Sequence, residues 1–491
     1  MVVVADGQSL TLGSTLEVAE GRAPVEAAPA SLKRMEKFRA LLEEKVKRGE
    51  VVYGVNTGFG SLSDKAVRQE DLEELQLNLI RSHSAGVGAP LPTEVVRAAM
   101  LIRLNNLLNG NSAVRKEVAE LIVEMLNKGI TPVVPEFGSL GASGDLVPSA
   151  HMALAMVGEG KALFRGKAVD SGKALAAASL RPIRLQAKEG LSLINGTAFT
   201  AALGCVATHR GVALLRTANS ALALTAEALG ACSQAFDERL TGVKRDPGQK
   251  AVARELRSLL KGSRRIRSEP VPQDPYSIRC GPQVHGSLKD AIDFAEKIVV
   301  NEMNSVSDNP ILFEDGAVLH GGNFHAQPVA MALDLLSLAL SYLGVMSLAR
   351  VHYVLSKTPS GSKYMARRPG LESGLMILEY TATALAADNA RNVYPESSYP
   401  ASVSGGIEDH ASHGVNTGLK ALQVASNVSH IVAIELICSS NLLGSDTNGV
   451  SGHARKVCGT VRANSPLLKG DRAQGEEIET IAREILAGKL P

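Results

Sequence analysis

Residues 138–149 read GSLGASGDLVPS, with Gly138, Gly141 and Gly144 spaced three apart around Ala142-Ser143. Glycine-rich turns expose backbone N–H groups and often cradle phosphates. Here the phosphate-loop ending Gly-Lys-Ser/Thr is missing, because no lysine follows Gly144. The dinucleotide spacing G-x-G-x-x-G is absent too, and no β-strand alternation leads into the stretch. Nucleotide binding is therefore disfavoured. A plain Gly-Ser connector is the simplest alternative, and the rest of the chain has to decide.

The chain has 491 residues, with 52 Lys and Arg against 50 Asp and Glu, a net charge of +2. No strong field selects nucleic acid or an anionic membrane. Hydrophobic residues make up 45%, yet aromatics only 3% with no Trp, so platforms for base stacking are scarce. An Ala- and Leu-rich, aromatic-poor composition favours packed helices. Cys205, Cys232, Cys280, Cys438 and Cys458 form no C-x-x-C pair and are odd in number. That suits free thiols in a reducing compartment and neither a disulfide framework nor a zinc site. The start, MVVVADGQSLTL, lacks the basic region of a secretory signal. Residues 326–349 carry one charge, Asp334, and are long enough to span a bilayer. Gln327, Asp334 and several serines suit a helix buried among helices better. The expectation is a soluble, cytoplasmic protein with no membrane or nucleic-acid partner.

Length alone suggests about three domains, although one large helical unit reaches this size. The first 30 residues, with Thr, Val, Gly and Pro, read as strand and loop. Helical periodicity begins at SLKRMEKFRALLEEKVKRG (31–49) and returns at 92–110 and 112–129, each opening on Ser or Pro and closing at Gly. Longer apolar stretches follow at about 199–231, 285–307, 327–355, 373–393 and 413–443. Helices apolar on most faces belong inside a bundle or an oligomer interface. Loop-rich zones at 236–284 and 356–372 interrupt them. The predicted fold is mainly α: a smaller mixed N-terminal part, residues 1–200, and a long-helix bundle with the C-terminal region, residues 201–491.

Three polar clusters are not needed by helix interiors or plain connectors. They are YGVNTGFGSLSD (53–64), GLSLINGTAF with Asn195-Gly196, and QDPYSIRCGPQVHG with Gln273, Tyr276 and Arg279. Singly, each has an ordinary structural explanation, since Asn-Gly makes turns and Arg is usually solvated or paired. Together they offer a phenol, an amide and a guanidinium, a set that suits an enzyme acting on a small zwitterion. Glu408-Asp409-His410 with His413 could pass for metal ligands, but H-E-x-x-H order is lacking and no metal is expected.

FGSLGASGDLVPSAHMAL resembles the signature of the histidine/phenylalanine/tyrosine ammonia-lyase family. In that family an Ala-Ser-Gly tripeptide cyclises into a methylidene-imidazolone, a built-in electrophile that replaces any external cofactor. The residue types fit that chemistry. The nitrogen of Gly144 must attack the carbonyl of Ala142, and without a Cβ it can approach in a bend other residues resist. Ser143 carries the hydroxyl whose loss leaves the exocyclic methylidene. The resemblance continues through YGVNTGFG, LSLINGT, QDPYSIRC, NSVSDNP (with Asn304 and Asp308) and GGNFHA, in the family's order. It implies Tyr53 as base, Asn195 and Tyr276 as positioning groups, Arg279 as a fork for the substrate carboxylate, and Gln273 and Phe324 in the substrate site. It also implies a homotetramer whose active sites draw on several chains.

Within the family, RSHSAGVG puts His83, and IEDHAS puts Glu408, where histidine lyases carry such groups. Met376 in SGLMI matches a pocket methionine. L-Histidine converted to urocanate is the implied reaction. The alternative is a tyrosine or phenylalanine lyase, or a 2,3-aminomutase, with the same electrophile. Ile407 stands where the family has Gln, and Gly281, His285 and Glu372 depart from Gln, Met and Asn. None of these touches the cyclising tripeptide.

Overall fold

The computed structural model describes residues 2–58, 60, 65, 67–269, 273–356 and 363–490, and the chain is mainly helical. Phe59 and residues 61–64 of the Tyr53 stretch lie outside the described residues, as do 270–272 and 357–362 in the loop-rich zones. The long apolar stretches form the helices Ala198–Leu229, Gly281–Met303, Gln327–Ser356, Met376–Asn392 and Gly414–Leu443.

Helices also form where the sequence reads as strand and loop. Extended pieces do occur near the N-terminus, Val3–Ala5 pairing in parallel with Val25–Ala27. Between them runs the helix Leu12–Ala19. Thr11 Oγ1 accepts from the Ser14 N–H at 3.1 Å, and Ser14 Oγ accepts from the Thr11 N–H at 3.0 Å. This reciprocal capping box satisfies donors that a helix start otherwise leaves unpaired. Within 236–284 lies the helix Pro247–Leu259, capped by the Asp246 side chain. Asp-Pro-Gly serves equally as a turn and as a helix start, and the capping geometry shows which applies.

The chain divides into two compact units. The first comprises Met1–Val206, Glu296–Leu333 and Pro395–Leu419. Its central helix, Thr93–Leu107, is buried from Val95 to Leu107 on every face. Polar residues on it reach neighbouring backbone: Asn105 Nδ2 donates to Met303 O at 3.0 Å and Asn106 Nδ2 to Ser305 O at 2.7 Å. Strand Val87–Pro90 pairs antiparallel with Pro135–Phe137, which delivers the chain directly to the Gly138–Ser149 stretch. The helix Leu146–Met156 carries it away.

The second unit comprises Ala207–Ala295, Asp334–Tyr394 and Lys420–Pro491. Two ion pairs lie buried among its apolar helices. Arg350 meets Glu435 through Nε–Oε1 at 2.6 Å and Nη2–Oε2 at 2.8 Å, with both side chains fully buried. Removing one partner would strand a buried charge, at a cost of about 3–5 kcal/mol. Asp334, the single charge of 326–349, pairs with Lys420. Ala198–Leu229, Gln327–Ser356 and Gly414–Leu443 are long and apolar enough to cross a membrane by length and composition. Their most apolar stretches are nevertheless 78%, 67% and 83% buried within the protein.

Candidate active site

A cavity of about 1080 Å³ lies in the first unit, with Ala142 and Ser143 in its wall. The tripeptide is clamped from two sides. Behind it, Gly144 pairs with Gly196 in a parallel bridge, and Asp145 N–H donates to Gly196 O at 2.7 Å. Gly144 has φ +80°, and a Cβ there would meet Gly196 O at 2.3 Å, so no other residue fits. Asn195 Nδ2 donates to Ser143 O at 2.8 Å, while its Oδ1 is buried without a partner among the described residues. From the other side, the N–H groups of Ser412 and His413 donate to Gly141 O and Leu140 O at 3.2 and 3.1 Å. The same strap brings in Glu408, whose Oε1 accepts from Ser143 Oγ at 2.7 Å.

Buried charges support this clamp. Arg103, on the central helix, is fully buried and its Nη1 donates to Asn195 O at 3.0 Å and Ser192 O at 3.3 Å. Asp145 occupies the N-cap position of Leu146–Met156, but its carboxylate turns to the helix Ala198–Leu229. There it accepts from Thr200 N–H and Oγ1–H, both at 2.7 Å. Burial pushes the Asp145 carboxyl up to about 6, against the lowering effect of the Thr200 bonds and Arg103.

Tyr53 lies in the cavity wall, and its Oη accepts from Gly60 N–H at 3.0 Å. His83 ends the helix Leu72–His83, its Nδ1 2.9 Å from Leu79 O. A carbonyl only accepts, so Nδ1 carries the proton and a neutral ring presents Nε2 as an acceptor. Burial holds the His83 imidazole below its ordinary value, against the raising effects of the Leu79 carbonyl and the Glu408 charge. Phe324 completes the grouping of sequence-predicted residues in this cavity.

Gln273, Tyr276, Arg279 and Met376 belong to the second unit, and none lines the cavity. Tyr276 is 66% exposed, with the Arg279 guanidinium 5.1 Å from its ring centroid. Asp274 anchors this segment by accepting from Cys232 N–H at 2.7 Å. Two lining histidines, His320 and His325, escaped the sequence reading, and a third, His410, was weighed there only as a metal ligand. His325 and His410 stack with centroids 5.2 Å apart, and His320 meets Tyr53 edge-on at 5.8 Å. His320 directly precedes GGNFHA, which was the one signal available. Among the described residues no group of three His, Cys, Asp or Glu is arranged to hold a metal ion.

Known proteins share this architecture. A model of the aromatic amino acid lyase family matches residues 10–463. The chain is 42% identical over 496 residues to a histidine ammonia-lyase of Symbiobacterium thermophilum, covering 100% of this chain and 98% of the other. It is 43% identical over 448 residues to a histidine ammonia-lyase of Caldanaerobacter subterraneus, covering 90% and 88%. Among solved structures, a tyrosine aminomutase from Streptomyces globisporus superimposes with a TM-score of 0.95 at 34% identity, covering 100% and 97%. A histidine ammonia-lyase from Trypanosoma cruzi gives 0.90 at 36% identity, covering 100% and 96%. The sequence match over almost the whole chain and the shared helical architecture agree: this chain belongs to the aromatic amino acid lyase family.

Proposed function

We propose that the chain is a carbon–nitrogen lyase that eliminates ammonia from L-histidine to give urocanate. The observation that carries this reading is the clamped Ala142-Ser143-Gly144, held by Asn195 and Glu408 in one cavity with Tyr53 and His83. The tripeptide fits a methylidene-imidazolone: the Gly144 backbone tolerates no Cβ, and Asn195 offers both a donor to Ser143 and an unpartnered buried oxygen. The cyclised group supplies an electrophile that makes the substrate amine a better leaving group. No external cofactor is needed.

The remaining work falls to side chains. Tyr53 takes the β-proton, with Gly60 N–H supporting the charged oxygen. His83 Nε2 and the Glu408 carboxylate address the substrate imidazole, and Phe324 forms an apolar wall. Loss of the Ser143 hydroxyl on cyclisation removes the bond that occupies Glu408 Oε1 and frees that oxygen for substrate. Arg279 forks the substrate carboxylate, with Tyr276, Gln273 and Met376 beside it. In this reading these four reach the cavity from other copies of the chain, in a homotetramer with shared active sites. One helix face supports it: Met331, Leu335, Tyr342 and Val345 on Gln327–Ser356 are all between 42% and 55% exposed. Their steps of four, seven and three residues suit a helix seam awaiting a partner. We place the enzyme in the cytoplasm, where five free thiols are stable.

The test is absorbance at the urocanate band with purified protein and L-histidine, beside L-tyrosine and L-phenylalanine. Cinnamate or coumarate formation outpacing urocanate would favour the aromatic lyase reading, and β-amino acid formation the aminomutase.

A further inference from the structure

We propose that His320 is the proton outlet for Tyr53: a positioning residue that receives the proton Tyr53 has taken and passes it to solvent. The inference rests on the reading of Tyr53 as the base. Its structural ground is the ring contact, with centroids 5.8 Å apart and planes at 74°, in the wall of one cavity. The partner on the Tyr53 oxygen, Gly60 N–H, supports a phenolate but cannot carry a proton onward. A base that keeps the substrate's proton is spent after one turnover, so the proton needs a way out.

His320 is placed to provide it. It follows the hairpin in which Ile311–Leu312 pairs with Val318–Leu319, and it is exposed. No described residue hydrogen-bonds its ring nitrogens. His83, by contrast, is tied through Nδ1 to Leu79 O, and His325 and His410 stack on each other. The other titratable groups of the cavity wall are Glu408 and Asp409. The hairpin's own acids are engaged, Glu314 with Lys37 and Asp315 with Ala317 N–H. An imidazole has two ring nitrogens, one able to accept a proton while the other donates one, so it can receive a proton and hand it on.

The step balances without any change of oxidation state. In each turnover the β-proton forms an O–H bond on the Tyr53 phenolate. That O–H then breaks, and the proton forms an N–H bond on His320, directly or through one water. The imidazolium gives it to water or a buffer base, which restores both groups.

His320→Gln and His320→Phe test this in the full-length enzyme, with L-histidine as substrate in dilute buffer and with added imidazole. Both variants should show kcat lowered by about tenfold in dilute buffer, below the roughly 10²–10⁴ lost with a group acting on substrate. Their kcat/KM should stay close to wild type, because the relay follows proton abstraction. Imidazole should restore kcat in the variants and leave wild type unchanged. Wild-type kcat for both variants in dilute buffer overturns the relay and leaves the base reading standing. So does a loss that imidazole does not repair, or a loss in Gln that Phe avoids, which would assign His320 to ring packing. A wild type without lyase activity overturns both.

Discussion

Glu408→Gln separates recognition of the substrate ring from chemistry common to every substrate. In the uncyclised chain Glu408 Oε1 is held 2.7 Å from Ser143 Oγ, so the carboxylate lies beside the reacting centre. His83, with Nδ1 committed to Leu79 O, presents an acceptor nearby. A substrate imidazole N–H donating to the carboxylate makes a charge-assisted bond of about 1.5–3 kcal/mol. Gln keeps the shape and one acceptor but loses the charge, and bonds of the neutral kind contribute about half as much. For L-histidine, kcat/KM should therefore fall by about 10-fold, and by about 100-fold if the whole bond is lost. For L-phenylalanine the sign reverses. Its ring leaves the carboxylate buried without a partner, at about 1–3 kcal/mol, and Gln relieves much of that penalty. The selectivity ratio should swing by about 10²–10⁴, in the range of sites built to hydrogen-bond a polar group. The assay is kcat/KM for L-histidine, L-phenylalanine and L-tyrosine on both proteins, followed by product absorbance. Because Glu408 touches Ser143, intact mass must first show that the variant has cyclised. A cyclised Glu408→Gln that loses all three substrates equally refutes ring recognition and assigns Glu408 to the departing amine.

Ser143→Ala should fold normally and lose nearly all turnover, and its mass should lack the deficit of two waters, on the order of 36 Da, expected of the active protein; a linear tripeptide in active wild type would sink the cyclisation. Tyr53→Phe should lower kcat by about 10²–10⁴, or roughly 3–5 kcal/mol of barrier, and a variant within tenfold of wild type moves the base elsewhere. Asp145 gives a stability prediction with a definite sign. Its folded value, pushed up to about 6, lies above the unfolded 3.8, so the native state holds the proton more tightly. Stability from this group is therefore highest in acid and declines as pH rises from about 4 through 6, by an amount on the order of 3 kcal/mol. Asp145→Asn, which keeps an acceptor for Thr200, should raise Tm relative to wild type more at pH 7.5 than at pH 5. Parallel Tm profiles for the two proteins would show that Asp145 does not titrate in this window.

The parts of this protein legible in the chain are those decided by near neighbours. Long helices follow from unbroken apolar runs, and the predicted 413–443 became Gly414–Leu443. The Ala142-Ser143-Gly144 signature is equally local, since the proposed ring closure involves only those three residues and the bends their glycines permit. Local signals also failed where one string supports two outcomes: Asp246-Pro247-Gly248 suits a turn or a helix start, and the loop-rich reading of 236–284 missed the helix that Asp246 caps. The sequence could name Glu408 and Ser143 but not join them, because 265 residues separate the hydroxyl from the carboxylate that accepts from it. Nor could it tell that Asp145 would forgo capping its own helix to hold Thr200, or that His320 would stand against Tyr53. Burial, which pushes the Asp145 carboxyl up and the His83 imidazole down, is a property of everything packed around a group and of no short stretch of chain. Tertiary structure decided those pairings because hydrogen bonds and desolvation act through space, over a few ångströms, whatever the distance along the backbone.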